Sequence, residues 1–184
     1  MKTKKFFFAI AALLCMMAVT VTTSCSKDDD SSSSTPTITG AEFTYYVSLT
    51  ENGYDLCDKS VTYIDENGSE KTEAFTGSTW KKTITVKKFP FNASLKTTPT
   101  RNATAATDDA YKFKTEYFIQ NITSVSSDGS RQKLTGETEL DTPSFSQTMP
   151  MAADKVDDYI KRLAERPALT VTLKVDGSKM EIVR

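Results

Sequence analysis

The pattern of this chain predicts an all-β domain with one helix. The expected architecture is an antiparallel, immunoglobulin-like β-sandwich, with the helix near the C-terminus before a final hairpin. Three observations carry the prediction. Apolar and polar residues alternate with a period of two through most of residues 40–184. Four Asn-Gly or Asp-Gly pairs stand between such runs. One segment, Met151 to Arg166, changes to helical spacing.

The first run sets the style. Phe43, Tyr45, Val47 and Leu49 alternate with Thr44, Tyr46, Ser48 and Thr50. Successive side chains of a strand point to opposite faces, so one set faces a core and the other faces outward. Val61 with Tyr63, and Ile84 with Val86, repeat the pattern. Phe91, Ala93 and Leu95 alternate with Asn92, Ser94 and Lys96. Tyr111, Phe113, Thr115, Tyr117 and Ile119 form a longer run. Leu169, Val171, Leu173 and Val175 make another, and Met180 and Ile182 close the chain.

Turn chemistry divides these runs. Asn52-Gly53, Asn67-Gly68, Asp128-Gly129 and Asp176-Gly177 are residue pairs that tolerate the positive φ of type I′ turns. They predict four antiparallel hairpins. Between Pro150 and Pro167, Ala152, Val156, Tyr159, Ile160 and Leu163 fall on one helical face. Pro150 suits a helix start and Pro167 stops the helix. The stretch Thr97 to Asp109 is polar and rich in Thr and Ala, which predicts a long loop.

Composition removes several functions. The 184 residues contain no histidine, the commonest general base and metal ligand. Ser-His-Asp and Cys-His sites are therefore excluded, and no catalytic residue, metal site or cofactor is assigned. Charges nearly balance, with 23 Lys plus Arg against 24 Asp plus Glu and no basic stripe, which argues against a nucleic-acid partner.

The N-terminus reads as an address. Lys2, Lys4 and Lys5 precede a run of 16 mostly apolar residues, Phe6 to Val21. A membrane span needs about 20 such residues, so the run is short for one. Basic, apolar and then small polar residues form the order of a secretory signal peptide. Thr23-Ser24-Cys25 ends it, and Cys25-Ser26-Lys27-Asp28-Asp29 follows. These residues resemble the lipobox and surface-export signal of Bacteroidetes-type surface-exposed lipoproteins; Ser24 departs from the more usual Gly or Ala. The resemblance covers about residues 1–30. It implies lipidation of Cys25, export directed by Ser26, Lys27, Asp28 and Asp29, and a place on the outer membrane facing the cell exterior. The organisation then reads as a signal peptide (1–24), a lipidated cysteine with export signal and flexible linker (25–39), and one β-sandwich domain (40–184). Ser31 to Thr37 has almost no apolar surface and suits a flexible tether.

Candidate surface chemistry is sparse. Tyr46 and Phe118 have the parity opposite to the core and are the candidates for an exposed aromatic patch. Trp80 shares parity with Ile84 and Val86 and reads as core. With Cys25 lipidated, Cys57 has no intrachain partner and reads as a small buried hydrophobe. The adjacent acids Asp108-Asp109 and Asp157-Asp158 read as solvated, and the acidic run Asp65 to Glu70 as a hairpin tip. The expectation is a non-catalytic cell-surface lipoprotein, held to the membrane by its lipid, that binds a glycan or a protein. The alternative is a structural subunit of an outer-membrane protein complex, docked through a sheet edge. A carboxylate-based hydrolase comes last.

Overall fold

Almost every apolar residue that alternates in the sequence turns to one interior. The computed structural model describes residues 35–102, 110–134 and 144–184, which make up one unit. The expected signal peptide, Cys25 and the expected export signal lie outside the described residues.

The elements run in order: β1 (Ile38–Glu51), α1 (Asn52–Leu56), β2 (Cys57–Ile64), β3 (Glu70–Phe75), β4 (Thr79–Val86) and β5 (Phe91–Arg101). They continue with β6 (Ala110–Ser126), β7 (Arg131–Lys133), β8 (Ser144–Ala152), α2 (Val156–Ala164), β9 (Leu169–Asp176) and β10 (Lys179–Val183). Two antiparallel sheets result. One has the order β4-β1-β6, with β8 and β7 in succession along the far edge of β6. The other runs β10-β9-β5-β2-β3.

The sheets pack face to face as a β-sandwich. Phe43, Tyr45, Val47 and Leu49 of β1 are fully buried, as are Phe113 and Ile119 of β6. Val61, Leu95 and Leu173 meet them from the second sheet. Phe43 lies 5.8 Å from Phe91 and Tyr45 lies 5.7 Å from Tyr63, ring centre to ring centre. Each buried side chain of this size contributes on the order of 1.5–3 kcal/mol before entropy is counted.

A second kind of contact crosses the core. The Tyr45 hydroxyl donates to the Ile64 carbonyl at 3.1 Å and accepts from the Ser94 N–H at 3.3 Å. It bridges β2 and β5 where their ladder, whose last pair is Tyr63 with Leu95, comes to an end. On the β3–β4 flank, Glu73 of β3 joins the two sheets. Its carboxylate accepts from the Tyr63 hydroxyl and the Lys82 ammonium, and from the Trp80 indole N–H at 3.2 Å.

The longest helix among the described residues precedes the last hairpin. α2 buries Val156, Tyr159, Ile160 and Leu163, and Tyr159 stacks 5.2 Å from Phe113. β9 pairs with β5 only over Phe91–Leu95. Beyond that point α2 packs on β5 in place of a strand, which keeps the end of the core covered.

Four local expectations change. Asn52-Gly53 does not make a hairpin turn: it opens α1, which carries the chain from one sheet to the other. Gly53 is needed for space, since a Cβ there would stand 3.0 Å from both Leu49 Cγ and Phe113 Cδ1. Positive φ falls on Glu51 instead, at 58°. The other three pairs do join paired strands, but only their glycines have positive φ. At Asp65–Ser69, Gly68 N–H bonds the Asp65 carbonyl and Asp65 N–H bonds the Ser69 carbonyl. This is a three-residue turn with a glycine bulge rather than a type I′ turn.

The helix begins later than expected. Pro150 and Ala152 belong to β8, and a 3-10 turn, Ala153–Lys155, leads into α2. Pairing with β6 holds Lys112 opposite Pro150 and Ala110 opposite Ala152, so sheet registry overrides the local helix signal. Thr97–Arg101 of the expected loop is also strand, paired with Cys57–Val61 of β2. Pro99 is tolerated because β5 has already lost β9 as a neighbour there. Residues 103–109 lie outside the described residues. One bulge was invisible in the pattern. Asn121, at φ 58°, adds a residue to β6 opposite Glu42–Thr44 and brings Ile122 back into the core.

Candidate binding surface

Tyr46 of β1 and Phe118 of β6 lie directly opposite one another in register. Their rings pack 5.6 Å apart at 43° on the outer face of the β4-β1-β6 sheet. Alternation puts them there: Tyr45 and Val47 on either side of Tyr46, and Tyr117 and Ile119 on either side of Phe118, all point into the core. Both rings are half-buried, because each covers part of the other.

The surroundings are polar. Lys81 of β4 stands in register with Tyr46. Thr44 and Thr83 hydrogen-bond across the strands at 3.1 Å. Ser48 with Glu116, and Thr44 with Gln120, form the neighbouring rows. The face therefore offers two aromatic rings beside threonine hydroxyls, the Gln120 amide, the Lys81 amine and the Glu116 carboxylate, with Ser48 buried beneath. Such a surface can stack a ring and hydrogen-bond its rim.

The other sequence candidates fall elsewhere. Trp80 is half-buried and packs 5.2 Å from Tyr63, with its N–H spent on Glu73. It seals the flank of the core rather than offering a plate for stacking. The Lys82 ammonium and the Tyr63 hydroxyl hold the Glu73 carboxyl below the usual range, and the same contacts raise Lys82. Cys57 is buried, and burial pushes its thiol up to about 11 against the pull of Lys59 and Arg101. That environment keeps the thiol protonated and inert at neutral pH.

The acids do not converge. Asp157 and Asp158 are exposed on α2, with Asp157 3.7 Å from Arg101 Nε. Asp65 does serve a hairpin tip: its carboxylate accepts from the N–H groups of Asn67 at 3.0 Å and Ser69 at 2.8 Å. Those bonds hold its carboxyl below the usual range. Asp108 and Asp109 lie outside the described residues. Among the described residues, no group of three Cys, Asp or Glu side chains is placed to hold a metal ion. Nor is any helix there long and apolar enough to cross a membrane.

Two features escaped the sequence reading. Tyr54 of α1 is an exposed aromatic at 43%. It follows the Asn-Gly pair read as a turn, which hid it. Lys59 has core parity on β2 and is only 7% exposed. Its ammonium donates to the carbonyls of Tyr54 at 3.1 Å and Cys57 at 3.3 Å, and stands 4.5 Å from the centre of the Tyr54 ring. It serves the C-terminal carbonyls of α1, so its burial reflects helix capping.

No family model, no curated protein and no solved structure matches this chain.

Proposed function

We propose that this protein is a lipid-anchored, non-catalytic binding module of the bacterial outer surface, and that the outer face of its β4-β1-β6 sheet is the contact surface for a glycan or a protein. One observation carries the choice of surface: Tyr46 and Phe118 pack together on a face whose other neighbours are polar. Large side chains on a solvated sheet face cost solubility, and pairing two of them in one place concentrates apolar contact area. Aromatic rings are also the side chains most often found to anchor interfaces. The address rests on Cys25 and on Ser26, Lys27, Asp28 and Asp29 after it. Two or more acyl chains on that cysteine would make a stable anchor.

The test separates surface from address. The full chain, purified from membranes in detergent, is screened on a glycan array and in pull-downs from outer-membrane extract. Loss of the captured ligand in the Tyr46→Ala/Phe118→Ala double variant, with an unchanged melting profile, is the expected result. A ligand that binds wild type and double variant equally would refute this face. For the address, Cys25→Ala releases the protein from the membrane. Changing Lys27, Asp28 and Asp29 to Ala leaves it anchored but shielded from protease added to intact cells.

A second reading, docking as a subunit of an outer-membrane complex, draws on the β10 edge. That strand has no neighbour on its far side among the described residues, and Val183 is 38% exposed. Stoichiometric co-purification with one partner, lost on Met180→Pro, would favour it.

A further inference from the structure

We propose that a hollow on the outer face of the second sheet binds a neutral saccharide unit. It is a different site from the Tyr46–Phe118 face and lies on the opposite sheet. The hollow forms where β2 and β5 part. They pair from Cys57 with Arg101 as far as Tyr63 with Leu95, and there β2 turns away into the β2–β3 hairpin. The Asp65 carboxylate fixes that turn through the N–H groups of Asn67 and Ser69. β5 continues along Phe91–Ser94 with β9 alone beside it. The gap left behind has a volume of about 690 Å3, within the ordinary size of a small-molecule pocket.

Its walls differ in chemistry. Asn92 pairs with Thr172 and Ser94 with Thr170, so four polar side chains stand in two adjacent rows on the outer face. The Thr172 hydroxyl donates to the Asn92 carbonyl oxygen at 2.8 Å. That bond orients the amide and leaves its two N–H donors unused among the described residues. The hydroxyls of Ser94 and Thr170 are likewise uncommitted there. Ile64 and Pro90 supply the apolar side. Among the described residues, no charged side chain lines the hollow.

This combination selects a ligand class. An ion would find no countercharge and would lose hydration without repayment. A purely apolar molecule would cover the Asn92 amide N–H groups and the Ser94 and Thr170 hydroxyls and leave them unpaired, at roughly 1–3 kcal/mol each. An extended peptide entering the split as a strand needs free backbone groups. The two at the mouth of the split, the Ile64 carbonyl and the Ser94 N–H, are already held by the Tyr45 hydroxyl. A neutral sugar ring has hydroxyls on its rim and C–H groups on its face, which suits a polar floor beside an apolar wall.

The probes are D-glucose, D-galactose, D-mannose and N-acetyl-D-glucosamine, with glucuronate and tetra-alanine as competing classes. Each is added to the isotope-labelled full chain at about 50 mM, which suits single-unit affinities in the millimolar range. Amide shifts are followed at Ile64, Asn92, Ser94, Thr170 and Thr172. At least one neutral sugar should move this group together and saturably. Asn92→Ala/Thr172→Val should weaken the response at least about tenfold. Ser94→Trp, which fills the hollow from its rim without touching the core, should abolish it. Tyr46→Ala/Phe118→Ala should leave it intact, so this site and the opposite face fail independently. The proposal is overturned if no neutral sugar moves these amides, if glucuronate or tetra-alanine moves them instead, or if the response survives both hollow variants in folded protein.

Discussion

Replacing Tyr45 by phenylalanine removes one oxygen atom from the centre of the sandwich. The ring stays, so packing against Phe43 at 5.1 Å and Tyr63 at 5.7 Å is kept. What goes is the bridge at the β2–β5 split: one hydrogen bond given to the Ile64 carbonyl and one taken from the Ser94 N–H. Each is worth about 0.5–1.5 kcal/mol net, so the pair predicts a loss of about 1–3 kcal/mol. For a domain of this size each kcal/mol moves Tm by about 2–4 °C. Urea unfolding should show a lower midpoint with an unchanged slope, because the exposed area on unfolding is the same. Hydrogen exchange supplies the local reading. The Ser94 amide should lose protection relative to the amides of β1, since its acceptor among the described residues has gone. The opposing expectation is also physical: the hydroxyl is expensive to bury, and Tyr45 is fully buried. If Tyr45→Phe were as stable as wild type or more so, with Ser94 equally protected, the hydroxyl would be a passenger and the bridge argument would fail.

Other perturbations follow from the same contacts. Gly53→Ala places a Cβ about 3.0 Å from Leu49 and Phe113 side-chain atoms, and overpacking of this kind costs about 1–3 kcal/mol; thermal melting should show it, while Gly68→Ala, with open space but a φ of 81°, should lose stability through backbone strain alone. Glu73→Gln weakens the link among Tyr63, Trp80 and Lys82. Its exposure limits the loss to about 1 kcal/mol, and Trp80 fluorescence should report the looser flank. Glu73 titrates below its ordinary value of 4.5 in the folded protein. Its stabilisation is therefore present above that value and lost as pH falls through the folded one, so acid unfolding of Glu73→Gln should begin from a lower but flatter baseline. Cys57 is shifted the other way, from 9.0 to about 11. The folded state keeps the proton longer, so stability is full below pH 9 and declines as pH rises toward 11. Cys57→Ala should flatten that alkaline limb, and the native thiol should resist iodoacetamide at pH 7 until urea unfolds the chain.

Much of the architecture was legible because a strand reports its buried face every second residue. Phe43 to Leu49, Phe91 to Leu95 and Tyr111 to Ile119 needed no tertiary information to reveal which side was core. The same parity identified Tyr46 and Phe118 as outward-facing. It could not show that they touch, because register between β1 and β6 depends on both strands and on the bulge at Asn121. Asn52-Gly53 failed for a related reason. The dipeptide permits a turn, and here its glycine serves a close approach to Leu49 and Phe113, side chains on two other elements. Lys59 was unreadable as well, since only the folded chain puts α1 carbonyls within reach of its ammonium.

Local pattern and composition were enough to read the strand faces, a helix before the final hairpin, the absence of histidine chemistry and the residues that suggest a lipid address. These depend on local period and composition, which each segment carries alone. The folded chain was needed to show which strands are neighbours, that Tyr46 meets Phe118, and that β2 and β5 part to leave a neutral hollow capped from within by Tyr45. Those features arise from contacts between residues distant in the chain, and long-range pairing is set by the sum of the whole core rather than by any one segment.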